Sequence, residues 1–213
     1  MRYKTLLLTI ASVIFIVTGF NFVRSRGQGR PSLKAATMQI RLYHINPDGS
    51  VEEKGTKTVY QSADGSYGWI LRDVEGHIIQ KIVADSKRNG VFIVNKETGV
   101  RILSSIGKTG ADLPQEYRSM PGYAGETTAF GEIAYIEKGT KERNGGESEA
   151  TMIPSLKIPI KFVNFNDDGS QSVEEAVSIL WGEPPQDRVR LSPKLKVTES
   201  DTIEKTLRKE RNQ

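Results

Sequence analysis

The sequence predicts a mainly β fold: an antiparallel curved sheet or half-barrel, preceded by an N-terminal transmembrane helix and followed by a disordered C-terminal tail. Three observations carry this expectation. An uncharged apolar run extends from Thr5 to Val23; beyond it, short alternating stretches are broken by Gly, Asn and Asp; after Trp181 the chain turns proline-rich and then mixed in charge. The division that follows is a signal anchor with basic flanks over residues 1–30, a linker over 31–36, a β-rich extracytoplasmic domain over 37–190 and a charged tail over 191–213.

A helix through Thr5–Val23 would be about 28 Å long at roughly 1.5 Å per residue, close to the ~30 Å of a bilayer's hydrocarbon core. The run is apolar all round instead of striped, and Arg2 and Lys4 on one side and Arg24, Arg26 and Arg30 on the other bracket it. Both features argue against a buried helix of a soluble fold. A cleaved signal wants small residues just before the cut, and the best local candidate, Val17-Thr18-Gly19, would cut inside the run. A retained single-pass inner-membrane anchor is therefore expected, with cleavage to a secreted or periplasmic form as the alternative. The positive-inside rule leans weakly against export, whereas the short leading tail and signal-like layout favour it. Export of the C-terminal domain is the expectation.

The whole chain holds 30 Lys+Arg and 26 Asp+Glu, but residues 1–34 contain six basic residues and no acidic one, leaving 24 against 26 beyond them, a formal net of −2. The sequence pI of about 9.2 therefore belongs to the membrane flank. It is no sign of a nucleic-acid partner, which would want a basic stripe on the folded domain, and contact of Arg2, Lys4, Arg24, Arg26 and Arg30 with lipid headgroups is its simplest use. With no Cys there are no disulfides, thiolate metal sites or cysteine nucleophiles.

Within the domain, Met38, Ile40 and Leu42 alternate with Gln39, Arg41 and Tyr43 until Asn46-Pro47-Asp48-Gly49-Ser50 stops the strand in a turn. The pattern recurs at Tyr67–Leu71, the turn Glu75-Gly76 and Ile78–Val83, then at Val91–Val94, Asn95–Gly99 and Val100–Leu103, each pair reading as a hairpin. Glu132–Ile136 and Ile158–Phe165 follow, then the turn Asn166–Ser170 and Val173–Trp181, which fits helix and strand periods alike and is taken as a strand because a hairpin turn precedes it. Two stretches, Gly107–Thr128 and Lys138–Ala150, read as irregular connections, and the tail Lys194–Gln213 as largely disordered with at most a short helix around Ile203–Leu207. Ile40–Glu53 and Ile160–Glu175 echo one another, which two similar hairpins explain as well as a duplication does.

Few residues suggest chemistry. Asn164, Asn166, Asp168, Gly169, Ser170, Ser172 and Glu175 fall at positions 1, 3, 5, 6, 7, 9 and 12 of a calcium-loop spacing. Gln171 stands where that loop wants an apolar residue, and Pro159 and strand-like alternation occupy the place of an entering helix, so a plain hairpin turn competes with the metal reading. His44 continues the apolar face of Met38, Ile40 and Leu42, and His77 begins a strand; neither has partners at metal or general-base spacing. No nucleophile elbow, phosphate-binding glycine loop or distinct carboxylate pair is present, so no enzyme and no cofactor are expected. The aromatics Tyr67, Trp69, Tyr135, Phe162, Phe165 and Trp181 sit at alternating positions, as core residues do.

In the C-terminal half, Pro121-Gly122-Tyr123, Gly125–Gly131, Ile153–Lys157, Asp168-Gly169-Ser170, Ala176–Ile179 and Gly182-Glu183-Pro184-Pro185 occur in an order that resembles uncharacterised bacterial secreted β-rich proteins. These are loosely similar in organisation to the curved-sheet carriers that localise lipoproteins. The resemblance covers roughly residues 115–190. It implies an antiparallel, curved or half-barrel sheet outside the cytoplasm, and it transfers neither a catalytic residue nor lipid binding. Two functions stay open: a non-catalytic anchored module binding or scaffolding an envelope protein through its sheet and the loops Gly107–Thr128 and Lys138–Ala150, or a carrier of an apolar ligand at the membrane. The lipid bilayer is the one partner common to both.

Overall fold

The computed structural model describes residues 32–95, 98–102, 117–139 and 146–200. Along them run β1 (Ala36–Ile45), β2 (Val51–Gln61), β3 (Tyr67–Arg72), β4 (Ile78–Asp85), β5 (Gly90–Val94), β6 (Thr98–Ile102), β7 (Tyr123–Ala129), β8 (Glu132–Gly139), β9 (Glu147–Met152), β10 (Lys161–Phe165), β11 (Gln171–Trp181), the single-turn helix α1 (Gln186–Val189) and β12 (Lys196–Ser200). All twelve strands join one sheet in the order β12-β6-β5-β4-β3-β2-β1-β11-β10-β9-β8-β7. The sheet is open, ending at β12 on one side and β7 on the other. Every pairing is antiparallel except β12 with β6, so the wholly antiparallel sheet expected from sequence is in fact mixed.

Four turns share one form. In Asn46–Ser50, Ser62–Ser66, Asp73–His77 and Asn166–Ser170 the first residue's N–H donates to the fifth residue's carbonyl, and the glycine N–H at position four donates back to the first carbonyl. The glycines take φ between 81° and 88°, the left-handed region that a side chain resists. In three of them the Asp Oδ1 accepts the N–H of the Ser two residues on. The echo between Ile40–Glu53 and Ile160–Glu175 is this shared turn chemistry, flanked by the β1–β2 and β10–β11 hairpins, and β1 and β11 lie side by side.

Alternation puts one face of the sheet over the main core. Met38 on β1 stands opposite Val59 on β2 and Ile179 on β11; Val59 faces Trp69, Trp69 faces Ile82 and Ile82 faces Ile93, so a continuous apolar row crosses six strands. Burying each such side chain contributes roughly 1.5–3 kcal/mol. The segment 153–160 closes over this face with Ile153, Leu156, Ile158 and Ile160. Gln61, fully buried, holds it down: its Nε2 donates to the carbonyls of Lys34 and Ser155, both at 2.9 Å, and its Oε1 accepts the Lys157 N–H at 2.7 Å.

The other face carries a smaller core of Val83, Phe92, Val94 and Leu191, with Leu195 packed against it. Leu191 belongs to the stretch expected to be disordered; residues 186–195 instead form a strap across β3–β5, and β12 then pairs with β6. Gly68 makes this possible, since a Cβ there would lie 2.2 Å from the Arg188 carbonyl oxygen. Residues 201–213, with the expected helix at Ile203–Leu207, lie outside the described residues, as does Thr5–Val23. Among the described residues no helix is long and apolar enough to cross a membrane.

Three strands correct the sequence reading. The second arm of the first hairpin is expected to run no further than Glu53, whereas the strand runs Val51–Gln61, and Tyr123–Ala129 and Glu147–Met152 begin inside the stretches Gly107–Thr128 and Lys138–Ala150 expected to be irregular and end just beyond them. Each is rich in Lys, Glu, Thr or Gly and presents few apolar residues in alternation; their neighbours' hydrogen bonds, not their own pattern, make them strands.

Candidate functional site

The core face is not wholly apolar. Lys57 on β2 lies opposite Ile40, and Glu174 on β11 lies opposite Leu42, so the two side chains meet across β1 in an ion pair with Lys57 only 4% exposed. Gln80 on β4, opposite Leu71, is buried on the same face, and its Oε1 has no hydrogen-bond partner. At the end of this face His44 pairs in register with Ser172, and His44 Nδ1 and Ser172 Oγ are both buried without a partner. A short polar row therefore borders the apolar core, on rigid strands where side chains hold their positions.

The residues of the calcium-loop spacing divide between a turn and a strand. Asn164 Nδ2 donates to Asn166 Oδ1 at 3.2 Å, Asn166 Nδ2 to Ser170 Oγ at 3.0 Å, and Ser170 Oγ to Asp168 Oδ1 at 2.6 Å. The Ser170 hydroxyl and N–H hold the Asp168 carboxyl below its usual range. Glu175 is engaged elsewhere: it accepts the Tyr43 hydroxyl at 2.8 Å and pairs with Lys161 at 3.0 Å. Burial raises its carboxyl, but those two partners outweigh it and the net shift is downward. Tyr43 is pushed up to about 12 by burial and by Glu175. The basic residues Arg2, Lys4, Arg24, Arg26 and Arg30 lie outside the described residues.

One cluster escaped the sequence reading. Asp73, Glu75 and His77 bring ligand-type atoms within 4.8 Å of one another in the β3–β4 turn. Asp73 accepts the His77 N–H at 2.8 Å and lies 3.3 Å from its ring Nδ1, the ordinary closure of an exposed turn.

Of the two stretches expected to bind a partner, residues 117–128, 138–139 and 146–150 are described. Tyr117, in a short helical turn, stacks on Tyr135 of β8 with centroids 4.6 Å apart, and Arg118 lies over Tyr117 while its Nε donates to Glu126 at 2.6 Å. Burial raises the Tyr135 hydroxyl well above its ordinary value. These contacts fix the approach to β7, which among the described residues has one strand neighbour, β8, so that its other edge presents backbone groups without a strand partner there.

No known family profile matches the sequence, and no curated protein matches it. Solved structures do resemble the fold. The MucA/MucB complex of Pseudomonas aeruginosa matches at 15% identity and a TM-score of 0.42, over 78% of this chain and 58% of that one. A LolA superfamily protein of Nitrosomonas europaea matches at 11% identity and 0.39, over 76% and 92%. PNGF-II matches at 13% identity and 0.49, over 82% of this chain but 33% of its own. This chain thus spans little more than half of the first. The resemblance to lipoprotein-sorting proteins read from residues 115–190 recurs among these structures.

Proposed function

We propose that the chain is a membrane-anchored, extracytoplasmic and non-catalytic binding module, held at the bilayer by Thr5–Val23 and receiving a partner protein along β7 and the adjoining Tyr117–Arg118 turn. The observation that carries this reading is the open β7 edge at one end of a twelve-stranded sheet, beside a rigid aromatic stack. An extended segment adding to that edge would satisfy its free backbone groups and meet Tyr117 and Arg118 at the side. Protease protection with N-terminal sequencing on expressing cells tests the placement. External protease should digest the β domain in spheroplasts while the membrane-bound fragment retains its uncleaved N-terminus; a domain shielded in the cytoplasm overturns the reading.

A second reading, carriage of an apolar ligand, is favoured by the polar row of Lys57, Glu174 and Gln80 beside the apolar core, an arrangement suited to a molecule with an apolar body and a polar head. Displacement of an environment-sensitive apolar dye by lipid, lost in a Leu42→Glu variant that stays folded, is the result that supports it.

A further inference from the structure

The β7–β8 hairpin turns through only two residues, Phe130 and Gly131, with φ of 52° and 76°. Positive φ at both positions is the signature of a type I′ turn, whose favoured pair is Asn-Gly. A bulky aromatic in that conformation is strained, and strain of this kind is kept where the side chain has work to do. Phe130 is 41% exposed, and Ile133, two residues past the turn glycine, is 58% exposed.

This tip is not isolated. Glu132 accepts from Lys34 Nζ at 2.5 Å, and the same ammonium lies 5.3 Å from the centroid of the Trp181 ring. Trp181 is 36% exposed, and its neighbour Leu180, 74% exposed, pairs in register with Thr37. Trp181 and Glu132 flank Lys34, while Leu180 and Ile133, each one position along its strand, face the other side, and Phe130 caps the adjoining turn; these exposed apolar residues thus all lie at the end of the sheet where the described chain begins. Only residues 24–31 separate Ser32 from the apolar run ending at Val23, and eight residues reach at most roughly 26–29 Å. Three of those eight are Arg24, Arg26 and Arg30, a charge that matches an anionic lipid surface.

We infer that this end of the domain, with Phe130, Ile133, Leu180 and Trp181 exposed on both sides of the sheet and Lys34 beside Trp181, is a second membrane contact that seats edge-on in the headgroup region of the same bilayer that holds Thr5–Val23. Aromatic rings prefer that depth, and a lysine among them keeps its stem with the apolar groups and its ammonium among the phosphates. The inference rests on the anchored reading, and it adds that the domain docks in a fixed pose instead of swinging on its linker.

The chain carries its own probe, because its two tryptophans are Trp181 and the buried Trp69. The full chain is reconstituted in phosphatidylethanolamine–phosphatidylglycerol vesicles whose acyl chains are brominated near the headgroups, and flotation and tryptophan quenching are read together. The wild-type chain should float with quenched emission, and Trp181→Phe should abolish the quenching. Phe130→Asn suits the turn better, so it should unfold at an equal or higher temperature while losing most of the quenching; Ile133→Asp should lower it as well. A chain that floats with Trp181 unquenched, or whose quenching ignores Phe130→Asn, overturns the second contact and leaves the anchor standing. A chain that does not float overturns both.

Discussion

Arg190 joins more of the fold than any other side chain on the strap. Its guanidinium reaches Asp64, Asp85, Ser66 and Ser86, and the Leu191 N–H donates to the same Asp85 carboxylate at 3.2 Å. Asp85 is buried, so Arg190→Ala strands a carboxylate in the interior and should destabilise the domain by about 3–5 kcal/mol in urea unfolding, with Arg190→Lys recovering only part because an ammonium cannot fork between two carboxylates. Asp64 has a pH signature. Burial raises its carboxyl, but the Ser66 N–H and Arg190 together outweigh this and bring it below the ordinary 3.8. The stability it lends is complete above that value and disappears as pH falls through the lower folded-state one, so Asp64→Asn should lower stability at neutral pH and converge on the wild-type profile in acid, flattening its acid limb. Lys57 and Glu174 behave differently: Lys57→Met alone leaves Glu174 unpaired and should cost about 3–5 kcal/mol, whereas Lys57→Met with Glu174→Leu should return close to wild type in the same measurement.

Elements were legible in the sequence where each side chain's neighbours repeat its pattern. β1, β3, β4 and β11 show apolar residues at every second position or in β-rich runs, and their turns carry Asp-Gly or Glu-Gly. β2 hides its inward positions because two of them are Lys57 and Gln61, polar residues whose partners, Glu174 and the carbonyls of Lys34 and Ser155, lie far away in sequence. The strap was illegible for the same reason: nothing in Gln186–Leu195 announces that a bare Gly68 backbone awaits it. Gly68→Ala tests that fit. The added methyl should force the strap off the sheet at about 1–3 kcal/mol, and hydrogen exchange should quicken at Leu191 and along β12 while the core around Trp69 stays protected. Of the candidate binding features, the aromatic residues were visible individually, but the stacking of Tyr117 on Tyr135 and the union of Lys34, Glu132 and Trp181 depend on pairings that no local spacing encodes.

At the scale of the molecule, the seam between β1 and β11, one strand from the centre of the sheet, joins the first described strand to the last long one. Ala36 meets Trp181 there, and Ile45 meets Gln171. A chain made or exported from its N-terminus completes β1 early and can pair it at once with β2, but the opposite edge of β1 waits for β11. At synthesis rates of about 5–20 residues per second that delay is on the order of ten seconds. During it Met38, Ile40 and Leu42 lie beside an open strand edge. The vulnerable interval in the life of this protein therefore comes before the domain is finished, and a holding chaperone that covers an exposed β edge is the help such a chain needs.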